Sequence, residues 1–406
     1  MKKILLIMFI LITGSLLASC AEAGNTFAKK TKKESGASSQ ETSDTDVQIE
    51  NAIQKINEDI SDEEPAIDPS ESDTAKHDPD HEEITGSSKY KVAMVTDTAG
   101  INDHSFNQGA WEGLTNLNED TGATVKYIGL KSDSDYIKNI ETLIDEDYSF
   151  IWGIGYESAQ YIKEEAKKHP QTEFAIIDHA IDDPIDNVTG ITFRAEEPSF
   201  MAGYIACSVT QSGRVGFIGG VPDDVMDAFQ YGFQSGVDYA NRELGRNVTV
   251  DARYIGSYTD RDKAYDLAKS MYDGGTVVIY HAAGAAGMGV IDAAKDGGDG
   301  CFVIGVDRDQ AYLAPDNILT SVIKNVSLAI ENVSVQYMMN DNINGINLDF
   351  GLSEHAVGIS TIHDNYPEDV YVKVLEIGKD IASGLISVPD NEESYNEFLQ
   401  ELKEEQ

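Results

Sequence analysis

The chain has 406 residues, of which 71 are acidic and 30 are basic, and its formal net charge is -41. A charge of this sign and size repels phosphate backbones, so we expect no nucleic-acid partner and interpret the acidity as a solubilising surface. The length, together with 41% hydrophobic residues, allows two ordinary domains plus extensions.

The N-terminus has the layout of a secretory signal. Lys2 and Lys3 precede the apolar run ILLIMFILITGSLLA, which is too short for a comfortable membrane span. The run ends in LASC, from Leu17 to Cys20, which resembles the lipobox of bacterial lipoproteins. The resemblance implies a signal peptide over residues 1–19 and a diacylated Cys20 that anchors the protein to the extracytoplasmic face of the cell membrane. An ordinary signal peptide with an incidental cysteine is the alternative.

The segment that follows has the composition of a disordered linker. Residues 21–88 are rich in Ser, Thr, Asp, Glu and Lys and nearly free of aromatic residues. Such a segment cannot bury enough apolar area to offset the entropy lost on ordering. We therefore predict a lipidated, acidic, disordered tether over residues 20–88. Its two histidines, His77 and His81, show no ligand spacing that would predict a metal site.

After Tyr90 the pattern changes to apolar strands that alternate with amphipathic helices. The predicted strands are 91–97, 124–129, 150–155, 174–180, 188–193, 214–220, 248–256, 276–283, 301–307 and 318–323, and helical spacing is found at 136–146, 198–210 and 262–273. Strands that alternate with helices predict parallel sheets with crossover connections. Two successive groups of five strands predict an α/β fold with two doubly wound parallel-sheet lobes, and a single ten-strand sheet is the less common alternative.

Polar residues and glycines follow the predicted strands. In open α/β sheets, ligands bind beyond the carboxyl ends of the strands. The residues at these ends are Asp97, Gly155, Tyr156, Asp178, Gly219, Gly220, Gly284, Gly287 and Asp307. If the strand ends of the two lobes face each other, these residues surround one cleft, which is the layout of a bilobal binding protein.

No catalytic arrangement is found in the sequence. It contains no HExxH, no GxSxG, no Cys–His pairing and no P-loop, and Cys207 and Cys301 each lie in an apolar stretch typical of buried free thiols. The segment GAAGMG, from Gly284 to Gly289, is a weak match to a dinucleotide fingerprint, and we favour a tight turn whose N–H groups approach a ligand. We therefore predict no enzymatic activity, no cofactor and no metal.

Several segments resemble one family in the expected order. VAMVTDTAGINDHSFNQGAWEGL, RVGFIGG, HAAGAAGMGVIDAAK and IGVDRDQ are similar to the basic membrane protein family, and the resemblance runs from about Lys91 to about Ile377. These are substrate-binding lipoproteins of ABC transporters and include bacterial purine nucleoside receptors. The resemblance implies a monomer with the type I periplasmic-binding-protein fold and three hinge crossings. Lobe 1 would comprise 89–212 plus about 324–345, and lobe 2 would comprise 213–323 plus about 346–406.

The resemblance also implies a set of ligand-binding residues in the first lobe. Asp97, Phe106, Asn107 and Tyr156 would form one side of a nucleoside site, with Phe106 stacked on the base. Asp178, with Asn107 beside it, would read the edge of the base.

The second lobe would supply the opposite side. Phe229 or Phe233, one helical turn apart in DAFQYGF, would stack on the other face of the base. Gln230 stands where the family usually has Glu, so a charged sugar contact would become a neutral one.

The sugar would be bound by residues at the ends of later strands. Gly284 would supply a backbone contact, Asp307 would accept hydrogen bonds from ribose hydroxyls, and Lys324 would donate to the same sugar. The physical logic agrees, because a nucleoside presents two aromatic faces, a hydrogen-bonding edge and a diol.

The mechanism implied is that of a receptor. A ligand that bridges both lobes stabilises the closed form, which a membrane permease and its ATPase then recognise. The alternatives are a receptor of the same fold for another solute, such as a sugar, and a surface adhesin or antigen. A nucleoside hydrolase is a further alternative, but it would need a metal or a poised water for which the sequence offers no ligand cluster.

Overall fold

The computed structural model describes residues 81–341 and 343–404. The predicted signal peptide, Cys20 and most of the predicted tether lie outside these residues. Within the described ranges, no helix is both long enough and apolar enough to cross a membrane.

Strands and helices alternate along the described chain, and each of the ten predicted strands is present. The strands are β1 (His81–Ile84), β2 (Lys91–Thr96), β3 (Thr124–Gly129), β4 (Phe150–Gly153), β5 (Glu173–Ile177), β6 (Val188–Phe193), β7 (Arg214–Gly219), β8 (Thr249–Tyr254), β9 (Val278–Ala282), β10 (Phe302–Asp307), β11 (Ile318–Lys324), β12 (Asn347–Phe350) and β13 (Val357–Ile359). The helices are α1 (Phe106–Thr121), α2 (Tyr136–Asp145), α3 (Ala159–Lys168), α4 (Glu196–Val209), α5 (Asp224–Leu244), α6 (Arg261–Asp273), α7 (Gly287–Gly297), α8 (Val326–Met338), α9 (Glu368–Ala382) and α10 (Glu392–Glu404).

The strands form two mostly parallel sheets, one in each lobe. Their orders are β1-β3-β2-β4-β5-β6-β12 and β13-β11-β10-β9-β7-β8. Only the pairs β1–β3 and β11–β13 are antiparallel among the described strands. Central strands such as β2 are buried along almost their whole length, which is typical of parallel sheets with helices on both faces. The two-lobed α/β fold is confirmed, and the single ten-strand sheet is excluded.

The first strand corrects the predicted tether. His81–Ile84 was expected to be disordered, but it pairs in antiparallel register with β3. The Tyr148 hydroxyl also donates a 2.8 Å hydrogen bond to Glu83. A four-residue strand has little stability alone, and it forms here because the edge of an existing sheet supplies its backbone partners. The tether prediction is therefore wrong for these four residues.

Helix α4 belongs to the second lobe, although lobe 1 was predicted to run to residue 212. It packs along α5, and the contact needs glycine on both helices. A Cβ on Gly203 would lie 2.2 Å from the carbonyl oxygen of Phe233, and a Cβ on Gly236 would lie 2.0 Å from that of Phe200. The helical pattern alone does not reveal which sheet the helix covers, so the predicted boundary was wrong.

The described chain crosses between the lobes at three places. The first crossing follows β6 at Arg194, the second follows β11 at Asn325 and the third follows β12 at Gly351. The second lies one residue beyond the position, near residue 324, at which the boundary was predicted. The third lies beyond the predicted boundary near residue 346, because β12 pairs in parallel with β6 of the first sheet.

Arg194 links the first crossing to the third. Its Nε lies 2.8 Å from a Glu197 carboxylate oxygen, its Nη1 lies 2.7 Å from Asp349, and its Nη2 pairs with Glu354. A Cβ on Gly351 would lie 2.2 Å from the guanidinium, so a larger residue there would have to displace the arginine from its ion pairs. One side chain therefore holds two of the connections between the lobes together.

Candidate ligand-binding site

A cavity lies between the lobes, at the carboxyl ends of the central strands of both sheets. Nine of the eleven residues predicted for the site line it, namely Asp97, Phe106, Asn107, Tyr156, Asp178, Phe229, Gly284, Asp307 and Lys324. The lining combines apolar and polar side chains from both lobes, so a ligand here would contact both lobes.

The other two predicted residues do not line the cavity. Phe233 is fully buried, with its ring 5.3 Å from that of Tyr280 in the core of the second lobe. The Gln230 side chain accepts a 2.9 Å hydrogen bond from the Tyr254 hydroxyl. Of the two predicted phenylalanines only Phe229 reaches the cavity, because the next turn of α5 lies over the sheet.

Several cavity residues were not predicted. Tyr258 follows β8, as Tyr156 follows β4, and its hydroxyl donates to Asp223 at 3.3 Å. The rule that ligand contacts follow strands would have found Tyr258. Met226, in the first turn of α5, also lines the cavity and has no signal in the sequence.

Asp97 and Asn107 form one wall. Oδ1 of Asp97 accepts hydrogen bonds from the Ala99 N–H at 2.8 Å and from the Asn107 Nδ2 at 2.7 Å. Burial raises the pKa of Asp97, and these two bonds oppose that rise. The Asn107 Oδ1 is buried and has no hydrogen-bond partner among the described residues. The wall therefore presents oxygen acceptors, one of which lacks a donor.

Asp103 fixes the start of α1, which carries Phe106 and Asn107. Its carboxylate accepts backbone hydrogen bonds from Ser105 at 3.0 Å, Asn107 at 2.9 Å and Gln108 at 3.0 Å. Burial nevertheless raises the pKa of Asp103 to about 7. These bonds satisfy N–H groups that a helix start leaves unpaired, so Asp103 positions the two ligand-facing residues.

Asp178 pairs with the second lobe rather than with Asn107. The Lys324 Nζ lies 2.6 Å from the Asp178 carboxylate, and both side chains are largely buried. Sequence reasoning placed Asp178 beside Asn107. Both residues line the cavity, where Asn107 bonds to Asp97 and Asp178 bonds to the lysine at the end of β11.

Asp307 ends β10 with an unusual backbone conformation. Its φ is 67°, and that of Asp178 is 63°, a left-handed region that costs energy for residues other than glycine. The hydroxyl of Ser105 donates to the Asp307 carboxylate across the lobe boundary. Burial raises the pKa of Asp307, while the Lys324 charge and the Ser105 hydrogen bond oppose that rise. Strained residues of this kind cluster at binding sites.

Two aromatic side chains reach the cavity from opposite lobes. Phe106 comes from the first turn of α1 and Phe229 from α5. The Lys324 Nζ lies 4.8 Å from the Phe106 ring centroid and 5.7 Å from that of Phe229. The cavity thus combines two aromatic rings with polar groups at its wall.

Comparison with known proteins gives one family. Residues 90–392 match the family described as ABC transporter substrate-binding protein PnrA-like. The chain is 40% identical over 323 residues to the CD4+ T-cell-stimulating antigen of Listeria monocytogenes, which covers 75% of this chain and 89% of that protein. It is 36% identical over 315 residues to basic membrane protein A of Borreliella afzelii, with coverages of 77% and 95%.

Solved structures show the same architecture. A solute-binding protein of an ABC transporter system from Aeropyrum pernix K1 aligns with a TM-score of 0.69 and 24% identity, covering 77% of this chain and 97% of that one. A transcriptional activator of the comK gene from Bacillus halodurans aligns with a TM-score of 0.63 and 25% identity, covering 74% and 99%. At these sequence identities, the comparison supports the fold and does not identify a ligand.

Proposed function

Because this chain belongs to the PnrA-like family of ABC transporter substrate-binding proteins, we propose that it delivers purine nucleosides to an ABC importer. In this role it is a receptor and not an enzyme. It binds a nucleoside between its lobes, and the closed form is the one that the permease and ATPase recognise.

The unpartnered Asn107 Oδ1 is the observation that carries the proposal. It is buried at the cavity wall, beside the carboxylate of Asp97. A buried acceptor without a donor costs roughly 1–3 kcal/mol, so a ligand that supplies an N–H group recovers this free energy. The N1–H of hypoxanthine or guanine is such a donor, and it is borne on a flat ring that fits beside aromatic side chains.

The other cavity groups support the remaining parts of the ligand. Phe106 and Phe229 offer ring faces from opposite lobes, which suits a planar base. Asp307 and Lys324 offer an acceptor and a donor for a ribose diol. A free sugar would use the second pair but would bring no aromatic ring to pack against the two phenylalanines.

The charge of the lining favours nucleosides over nucleotides. The acidic side chains that line the cavity include Asp97, Glu157, Asp178 and Asp307. Among the lining residues only Lys324 is cationic, and it already pairs with Asp178. A phosphate group would meet net negative charge, so the proposed ligand is unphosphorylated.

The membrane anchor belongs to the same proposal. It is supported by the lipobox resemblance at Cys20, which lies outside the described residues, and by the family's membership in transport systems. Two acyl chains would hold the protein at the extracytoplasmic face of the membrane. The intervening residues would then give the folded lobes reach toward the permease.

The test is to identify what the protein carries. The chain from residue 21 is purified without refolding, denatured, and the released small molecules are analysed by mass spectrometry. We expect purine nucleosides at a stoichiometry that the Asn107→Leu variant loses. Release of a sugar or another solute in place of nucleosides would contradict the proposal.

A further inference from the structure

A second set of polar contacts joins the lobes outside the ligand cavity. The Gln310 side chain, in the loop after β10, donates a 3.0 Å hydrogen bond from Nε2 to the backbone oxygen of His104 in the first lobe. The Tyr312 hydroxyl lies 3.0 Å from the Nδ1 of His104. None of these three residues lines the cavity. The contact therefore joins lobe to lobe directly.

The orientation of the Gln310 amide is fixed by its surroundings. Its Oε1 accepts a 3.1 Å hydrogen bond from the Val306 N–H and lies 3.1 Å from the Nε2 of His281. Gln310 is 2% exposed, and its backbone N–H donates to the Ser321 hydroxyl. If the amide turned over, the Val306 N–H would face an NH₂ group, and the Gln310 oxygen would face the carbonyl oxygen of His104. The network therefore leaves Nε2 as the end that faces the first lobe.

The contact with Gln310 explains why a histidine, His281, is buried at this position. It is fully buried in the second lobe, and burial lowers its pKa to about 4, so its ring is neutral. Its Nδ1 has no hydrogen-bond partner among the described residues, which costs free energy that an apolar side chain would avoid. The benefit of a histidine here is that its Nε2–H can donate a hydrogen bond to the Gln310 Oε1. A Cβ on Gly287 would lie 2.3 Å from this ring, so glycine there makes room for it.

We infer that Gln310 is a positioning residue that latches the two lobes in the closed form. It acts on closure without touching the ligand. The latch lies next to the site in the chain, because Gln310 follows Asp307 by three residues and His104 precedes Ser105, which donates to Asp307. Breaking the latch should therefore speed ligand release and leave the ligand contacts in place. The inference rests on the proposed function only in its choice of inosine as probe.

The variant Gln310→Glu tests this with almost no change of shape. It keeps an oxygen for Val306 and His281 but places an oxygen, instead of an N–H donor, against the His104 carbonyl. We expect inosine to dissociate faster by on the order of 3- to 10-fold, the equivalent of one hydrogen bond, with an unchanged association rate. Asp309→Asn is the matched control, since Asp309 lies in the same loop and accepts only a local hydrogen bond from Ala311. A protonated carboxyl in Gln310→Glu could still donate to the His104 carbonyl, so Tyr312→Phe is measured as well. Dissociation rates equal to that of the wild type in both Gln310→Glu and Tyr312→Phe would overturn the inference.

A second readout separates the latch from the choice of ligand. Nitroxide labels on the exposed Lys138 of α2 and Ser270 of α6, in a Cys301→Ser background, report the distance between the lobes. Gln310→Glu should lower the fraction of closed molecules both with and without inosine. If the wild type does not close when inosine is added, the result contradicts inosine as the ligand but does not contradict the latch. If Gln310→Glu does not fold, Tyr312→Phe, which removes the other latch contact near the surface, must lower the closed fraction. An unchanged distance distribution overturns the inference in either case.

Discussion

Lys324 of the second lobe and Asp178 of the first form a 2.6 Å ion pair at the wall of the ligand cavity. The pair joins the ends of β11 and β5, so its two charges meet only when the lobes are together. Among the described residues that line the cavity, Lys324 is the one cation, and it lies at the boundary that a ligand must bridge.

Removing the cation should separate the lobes. In Lys324→Met, the largely buried carboxylates of Asp178 and Asp307 would face each other without a countercharge, and breaking such a pair typically costs about 3–5 kcal/mol. We expect affinity for inosine to fall by on the order of 100-fold or more, as measured by calorimetry. Lys269→Met is the control, because Lys269 pairs with Asp273 on the exposed face of α6. A similar loss in both variants would contradict this role for Lys324.

The acceptor at Asn107 should matter for the base and little for the sugar. Asn107→Leu keeps the approximate size of the side chain but removes the oxygen that has no partner. We expect binding of inosine to weaken by on the order of 10-fold, the value of one or two hydrogen bonds. Asn116→Leu, on the exposed side of the same helix, should bind inosine as the wild type does. Unchanged inosine affinity in Asn107→Leu would remove the observation on which the proposed function depends.

Stability should decrease as the pH rises, in part through Glu196. Burial, together with the neighbouring Glu197, Asp390 and Asp349, raises the pKa of this carboxyl from its ordinary 4.5 to about 8. A raised folded-state pKa means that the folded protein holds the proton more tightly. The contribution of Glu196 to stability is therefore full below about pH 4.5 and is lost as the pH rises through about 8.

Glu196→Gln should remove this dependence. We expect the variant to match the wild type near pH 5 and to be more stable near pH 8 by about 1–3 kcal/mol, as measured by urea unfolding at both values. Glu397→Gln, at an exposed position on α10, should keep the pH dependence of the wild type. If Glu196→Gln loses stability at pH 8, ionisation of this residue does not oppose folding.

The crossing of α4 and α5 should tolerate no added carbon. A Cβ on Gly236 would lie 2.0 Å from the Phe200 carbonyl oxygen, so Gly236→Ala must push the two helices apart. We expect a loss of about 1–3 kcal/mol or more in the free energy of unfolding. Gly109→Ala offers the opposite case, because nothing lies within 4 Å of its Cβ position on α1 and alanine is the better helix former. Gly109→Ala should stabilise by up to about 1 kcal/mol.

The sequence revealed the architecture more reliably than the partners within it. Strand positions follow from the apolar pattern, and the cavity residues Asp97, Asp178 and Asp307 follow from the rule that ligands bind beyond strand ends. The partner of Asp178 does not follow, because an ion pair with Lys324 depends on how two lobes meet. No local pattern contains that information.

The lobe boundaries show the same limit. The sequence of helix α4 is typical of an amphipathic or buried helix whichever sheet it covers. Its place in the second lobe depends on the close approach of α4 to α5, which Gly203 on α4 and Gly236 on α5 allow. The four-residue strand β12 depends on pairing with β6. Phe229 and Phe233 differ only by one helical turn, and only the position of α5 over its sheet decides which of them reaches the cavity.

The most direct test of the central claim is calorimetric titration of the chain from residue 21 with nucleosides. The protein is first unfolded and refolded to remove any ligand that it carries. We expect inosine and guanosine to bind at one site per chain with a Kd of about 1 μM or tighter, and ribose and guanosine 5′-monophosphate to bind far more weakly. If the refolded protein binds ribose but shows no heat of binding with any nucleoside, the result would contradict the proposed function and identify the cavity as a sugar site.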